Sequence, residues 1–250
     1  MAAGHATVFG YRTNRYTSIS LGGRNRPLHT GHLQIPGRLA DNNNREWFND
    51  NKGRYESEVK EPILNFIADV DERIESISPH LIADTRTNGG SMFRIYRDTR
   101  FAKDKTPYKT NAGMQFRHEA GKDAHAPGLY LHIEPGSAFG GGGIWHPDTK
   151  TAAQIRQFIV DNDDEWIAAK TDKGVLARHN LEGDSLKRPP RGFDPDHPLI
   201  DDLKKKDHFA VGKYTEDEVT SPDFIDQWTE DCVNVSPYIG FLTRAVGLPF

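Results

Sequence analysis

Seven residues, Gly128-Leu129-Tyr130-Leu131-His132-Ile133-Glu134, alternate apolar and polar side chains and run into Pro135-Gly136. A strand sends successive side chains to opposite faces. Leu129, Leu131 and Ile133 therefore face a core, while Tyr130, His132 and Glu134 share the other face. Pro-Gly turns the chain. Ser137–Trp145 is expected to return as the second strand of a hairpin, although Gly140–Gly143 is unusual inside one.

Helical periodicity flanks this hairpin. Asn42, Asn43 and Asn44 offer N-cap chemistry before Arg45-Glu46-Trp47-Phe48. Apolar residues from Trp47 to Ile77 follow at helical spacing, predicting one long helix or two meeting near Pro62. Strands are expected at Met92–Tyr96, Met114–His118 and Phe209–Val211. A helix after Pro147-Asp148 has Ile155, Phe158, Ile159, Trp166 and Ile167 on its apolar side. Asn180–Pro198 reads as a loop. A last helix from Ser221-Pro222 turns Phe224, Ile225, Trp228, Val233 and Val235 inward, and the apolar stretch Ile239–Val246 closes the chain. Helices around a cluster of strands predict an α+β fold with a mostly antiparallel or mixed central sheet. The expected domain covers residues 39–250.

The first residues differ from the rest. Met1–Ala40 holds no Asp, Glu or Lys, although the chain carries 36 acidic residues. It lacks helical or strand periodicity and the apolar core of a secretory signal. Residues 1–38 are therefore expected to form a flexible, dispensable tail. No apolar run approaches the roughly 18 residues that span a membrane. The single Cys232 has no disulfide partner in the chain, which fits a reducing, cytoplasmic setting and a core position. The pI near 6.3 argues against a globally basic nucleic-acid binder.

One segment departs from the acidic background. Phe93–Lys109, FRIYRDTRFAKDKTPYK, sets Arg94, Arg97, Arg100, Lys103, Lys105 and Lys109 against Asp98 and Asp104, in a chain of net charge −4. Four aromatics are interleaved. Arg forks and Lys ammonium groups suit phosphate or carboxylate oxygens, and the segment lacks the glycine pattern of a Walker loop. The alternative is a solvated strand and turn held by salt bridges.

NNNREWF (Asn42–Phe48), FRIYRDTRFAKDKTPYKT (Phe93–Thr110), GLYLHIEP (Gly128–Pro135), HPLIDDLKKKD (His197–Asp207) and the final GLPF together resemble the bacterial family called domain of unknown function 2461. The resemblance runs from about Leu39 to Phe250. It implies the domain but no activity. Members carry a helix before the NNREWF element; here the acid-free tail occupies that place, so the first helix is expected to be missing or remade.

The expected site is a basic, aromatic-lined pocket for a phosphorylated or carboxylated small molecule. Arg94, Arg97, Arg100, Lys103, Lys105 and Lys109 would meet the anion, with Tyr96, Tyr108 and Trp145 on the organic part. His132 and Glu134 would transfer protons, and Asp98 would hold a guanidinium in place. A His132/Glu134/His146 metal site rests on spacing alone, and neither a metal nor a cofactor is assigned. Lys204–Lys206 reads as a solvated face. No nucleophile elbow, Ser/His/Asp order or Cys-x-x-Cys pattern is present, so no reaction is defined. The competing reading is a non-enzymatic module in which the same Arg, Lys and Tyr contact nucleic acid or a protein partner.

Overall fold

The sheet is antiparallel throughout, with its five strands in the order Ala112–Arg117, Gly128–Glu134, Ser137–Ile144, His208–Tyr214, Asn180–Glu182. The computed structural model describes Leu28, residues 31–121 and residues 126–250. In chain order the elements are α1 (Gly31–Asp41), α2 (Arg45–Tyr55), a π-helical turn (Glu56–Lys60), α3 (Glu61–Asp69) and α4 (Asp71–Ile77). Then come β1 (Ala112–Arg117), β2 (Gly128–Glu134), β3 (Ser137–Ile144), α5 (Thr149–Asp161), α6 (Asp163–Lys170) and α7 (Lys173–Arg178). β4 (Asn180–Glu182), α8 (Ile200–Leu203), β5 (His208–Tyr214), α9 (Glu216–Thr220) and α10 (Phe224–Ala245) complete the α+β fold.

The alternation in β2 sorts the two faces as expected. Leu129, Leu131 and Ile133 are buried, together with Met114 and Phe116 of β1 and Ala210 of β5. α10 lies over this face. A Cβ on Gly142 would stand 2.2 Å from Ile239 of α10, and one on Gly140 would stand 3.1 Å from Trp228. The glycine run in β3 thus lets the helix approach the sheet, which explains an otherwise poor strand sequence. On the opposite face, Tyr130, His132, Glu134, Phe139, Phe209 and Val211 are only half-buried.

α10 joins two apolar stretches into one helix of 22 residues, despite Pro237. Proline has no N–H for the carbonyl of Val233, and the Ser236 hydroxyl donates to that oxygen instead, at 2.7 Å. Trp228, Cys232, Val235, Ile239 and Leu242 form the buried stripe. Val233, expected inward, falls off this stripe and is 52% exposed. Ile167 is likewise exposed on α6, although its neighbour Trp166 is buried.

A helix does precede the Asn42–Phe48 element. α1 crosses the boundary expected between residues 38 and 39, and its Ile35 and Leu39 are buried, as is Leu28. The rest of the expected tail, residues 1–27 and 29–30, lies outside the described residues. Asn44 caps α2, accepting from the Trp47 amide at 2.9 Å. The backbone stays helical from Arg45 to Asp69, with the π-helical turn Glu56–Lys60 inserted between α2 and α3 just before Pro62.

Two strand expectations change. Met92–Tyr96 makes only isolated bridges, Met92 with Met114 and Tyr96 with Tyr108. After two ladder bonds to β1 the chain leaves the sheet and pairs with itself. Conversely Asn180–Glu182, expected as loop, adds to β5 as β4. No described helix is long and apolar enough to cross a membrane.

Candidate functional site on the half-exposed sheet face

Tyr130, His132 and Glu134 stand in a row along β2, because they occupy alternate positions of one strand. The register sets Gly113 of β1 and Phe139 of β3 on either side of His132. The Phe139 ring stacks on the imidazole at 4.4 Å and 12°. Gly113 leaves space: a Cβ there would stand 2.8 Å from the Tyr130 hydroxyl and 3.0 Å from the Phe93 ring. The hydroxyl leans into this space and reaches His132 Nδ1 at 3.2 Å.

Neighbouring donors assign the tautomer of His132. The Asn111 amide nitrogen, which can only donate, lies 3.2 Å from Nδ1. Nδ1 is therefore the acceptor, Nε2 carries the hydrogen, and Nε2–H points to Glu134 Oε2 at 3.4 Å. The Thr110 hydroxyl donates to the other oxygen of Glu134. The result is a hydroxyl–imidazole–carboxylate chain. Burial holds the His132 pKa below its ordinary value, against the opposing pull of Glu134, so the ring is neutral at pH 7. Burial, and then the charge of Glu134, pushes the Tyr130 hydroxyl up to about 12.

Lys109 flanks this row. Its ammonium lies 5.0 Å from the centroid of the Phe93 ring, which neighbours Tyr130 at 6.1 Å. With Asn111 it lines a small crevice closed by Ile35 and Leu39 of α1. Burial lowers its pKa, and the positive charge of Arg94 lowers it further. No carboxylate among the described residues lies at ion-pair distance from Lys109 or Arg94, although the charge of Arg94 helps to lower Asp98.

The remaining basic residues do not join this cluster. Arg97 Nη1 meets Asp104 at 2.5 Å and also reaches the Thr106 hydroxyl. Arg100 pairs with Asp98 at 2.7 Å. Lys105 donates to the Thr99 carbonyl at 2.8 Å. These pairs close residues 96–106 into a projecting arm, and they hold Asp98 and Asp104 down at about 2, the Arg100 and Arg97 hydrogen bonds being the leading causes. Lys103 is exposed on the same arm. Tyr108, expected on the ligand, is 4% exposed and stacks on Phe48 at 4.2 Å. Asn43 clamps its backbone from both sides, accepting from the Tyr108 amide at 3.1 Å and donating to its carbonyl at 2.9 Å.

Trp145, 61% exposed, lies just past the end of β3. It sits six residues beyond Phe139, about 20 Å along the strand from His132. It packs on His146, which is held by the buried carboxylate of Asp207 and has a φ of 49°. His146 is therefore remote from His132. Among the described residues, no group of three or more His, Cys, Asp or Glu is arranged to hold a metal ion.

The expected residues thus fall into four places: the row with Lys109, the arm, the core (Tyr108) and Trp145, with Arg94 acting on both Lys109 and Asp98 of the arm. Tyr130, Thr110, Asn111 and Phe93 were missed as partners. The alternation of β2 already aligns Tyr130 with His132. Thr110 and Asn111 become visible only once the β1–β2 register is known.

The fold and this row define an α+β protein whose sheet keeps one face half-open around Tyr130, His132 and Glu134. The chain matches the conserved hypothetical protein family DUF2461 over residues 37–241, most of its length, and belongs to that family. No curated protein and no solved structure matches it.

Proposed function

We propose that the half-open sheet face binds a small phosphorylated or carboxylated ligand, with Arg94 and Lys109 at the anion and the β2 row beside it. One observation carries the reading. Two cations lie close enough for one to depress the other, the more buried of them has lost part of its hydration, and neither is in an ion pair with a described carboxylate. A bound anion relieves both penalties. The Phe93 and Phe139 rings offer apolar surface for the organic part. Any proton transfer falls to His132 and Glu134: Nδ1 of the neutral ring is the acceptor and Glu134 stabilises the imidazolium that forms, while Tyr130, held up at about 12, keeps its own proton. With its lone cysteine buried, a cytoplasmic setting fits this reading.

Thermal melts in the presence of phosphorylated and carboxylated compounds test it. A binding anion raises the melting temperature by mass action. Lys109→Met and Arg94→Gln remove the shift, whereas Arg100→Ala retains it. A shift that survives in the Lys109→Met, Arg94→Gln double variant, or no shift with any anion, rejects the assignment.

A further inference from the structure

The arm ends in a phenylalanine that takes no part in folding. Phe101 is 94% exposed, so nearly all of its ring is offered to solvent. The loop that carries it is nonetheless tightly organised by Arg97 with Asp104 and Thr106, by Arg100 with Asp98, and by Lys105 on the Thr99 carbonyl. Braced loops with an exposed aromatic present that ring to a partner at low entropic cost. The Arg100 guanidinium lies 5.9 Å from the ring centroid. Near the base of the arm Tyr96 is 52% exposed, held by an edge contact with Phe48 and a tilted one with Tyr108. Lys103 stands exposed beside the tip.

We propose that this arm docks single-stranded nucleic acid, with Phe101 and Tyr96 as stacking platforms and Lys103, Lys105 and Arg100 along the phosphates. Arg100 does so through Nη1, since Asp98 takes its Nε and Nη2, and Lys105 through the N–H groups not given to Thr99. Two separated aromatic faces interleaved with cations match successive bases on a charged backbone. A bilayer fits less well. One phenylalanine buries little in lipid, and the second ring, Tyr96, lies back at the base of the arm. The arm has no recognition helix for the major groove of a duplex. The chain's net charge of −4 confines the contact to this local patch. The assignment is independent of the sheet-face site, since it uses neither Arg94 nor Lys109.

Fluorescence anisotropy of labelled oligo-dT and oligo-U of about 10 nucleotides with the full chain tests it. The expected result is saturable binding whose log–log salt slope is about −2, for roughly three phosphate contacts. Phe101→Ala weakens affinity about tenfold with the slope unchanged, and Phe101→Tyr restores it. Lys103→Gln flattens the slope by about 0.7. An unchanged melting temperature for Phe101→Ala excludes misfolding. Lys109→Met leaves oligonucleotide binding intact, which separates this test from that of the sheet-face site. Absence of saturable binding, or full affinity in Phe101→Ala, overturns the proposal. So does equal competition by inorganic tripolyphosphate at matched charge, which would leave only electrostatics. Phe101-dependent binding to phosphatidylserine vesicles, with none to oligonucleotides, would replace it with a membrane role.

Discussion

The β2 row and the arm use similar residue types in opposite ways. In the arm, charges find partners close in sequence: Arg100 takes Asp98 and Arg97 takes Asp104. Such pairs form without a fold around them, and they leave the ring of Phe101 outside. In the row, partners come from separate strands and turns: Asn111 and Thr110 reach across to His132 and Glu134, and Phe139 arrives from β3. Local pairing makes a shape that projects. Non-local pairing makes an environment, and only an environment shifts the state of a histidine.

The comparison is sharpest where the arm is rooted. Tyr108→Ala removes a buried ring stacked on Phe48 and should cost about 3–4 kcal/mol in chemical denaturation. An effect below about 1 kcal/mol would mean that the arm is not anchored through this residue. In the row, Gly113→Val drives a side chain into Tyr130 and Phe93 and should cost about 1–3 kcal/mol. Unchanged stability together with an unchanged His132 chemical shift would break the account of the space that Gly113 keeps for the hydroxyl.

The two regions should also titrate in separate windows. His132 has a folded-state pKa below its unfolded value. The unfolded chain therefore takes up the proton first as pH falls. The stability due to neutral His132 is complete above about pH 6.5 and is lost as pH drops through the folded value. Melting temperature followed downward from neutral pH should decline, and His132→Gln should flatten that decline. Asp98 and Asp104 are depressed to about 2, so their contribution is present above about pH 4 and is lost between there and about 2. An Asp98→Asn, Asp104→Asn variant that altered the decline near neutral pH, rather than the acid limb, would break the separation.

The smallest effect is expected at the surface of the arm. Arg100→Ala removes an exposed ion pair and should leave the melting temperature within the error of the measurement. A clear drop would mean that the arm's pairs hold more than the arm itself.

Period-two alternation is a property of one strand, so Tyr130, His132 and Glu134 could be placed on a common face before any partner was known. The helix around Trp228 and the hairpin at Pro135-Gly136 were legible for the same reason, since their patterns are local. The density of cations in Phe93–Lys109 was equally plain. Their convergence was not, because neighbouring Asp residues claim Arg97 and Arg100 before any cavity can. Tyr108 reads like Tyr96 in the sequence, yet one is core and the other half-exposed, because Asn43 clamps and Phe48 stacks on Tyr108, whereas Tyr96 meets only the edge of Phe48 at 6.4 Å. Trp145 follows the same hairpin as His132 but lies at its far end, a matter of strand length and register. α1 carries a single acid, Asp41 at its last position, and it is Ile35 and Leu39, taken up by the core, that give it a place. The sequence by itself determined which face each β2 residue takes and where charge is dense. The tertiary structure decided which cations keep their charge unpaired, because that depends on what distant strands and helices bring alongside.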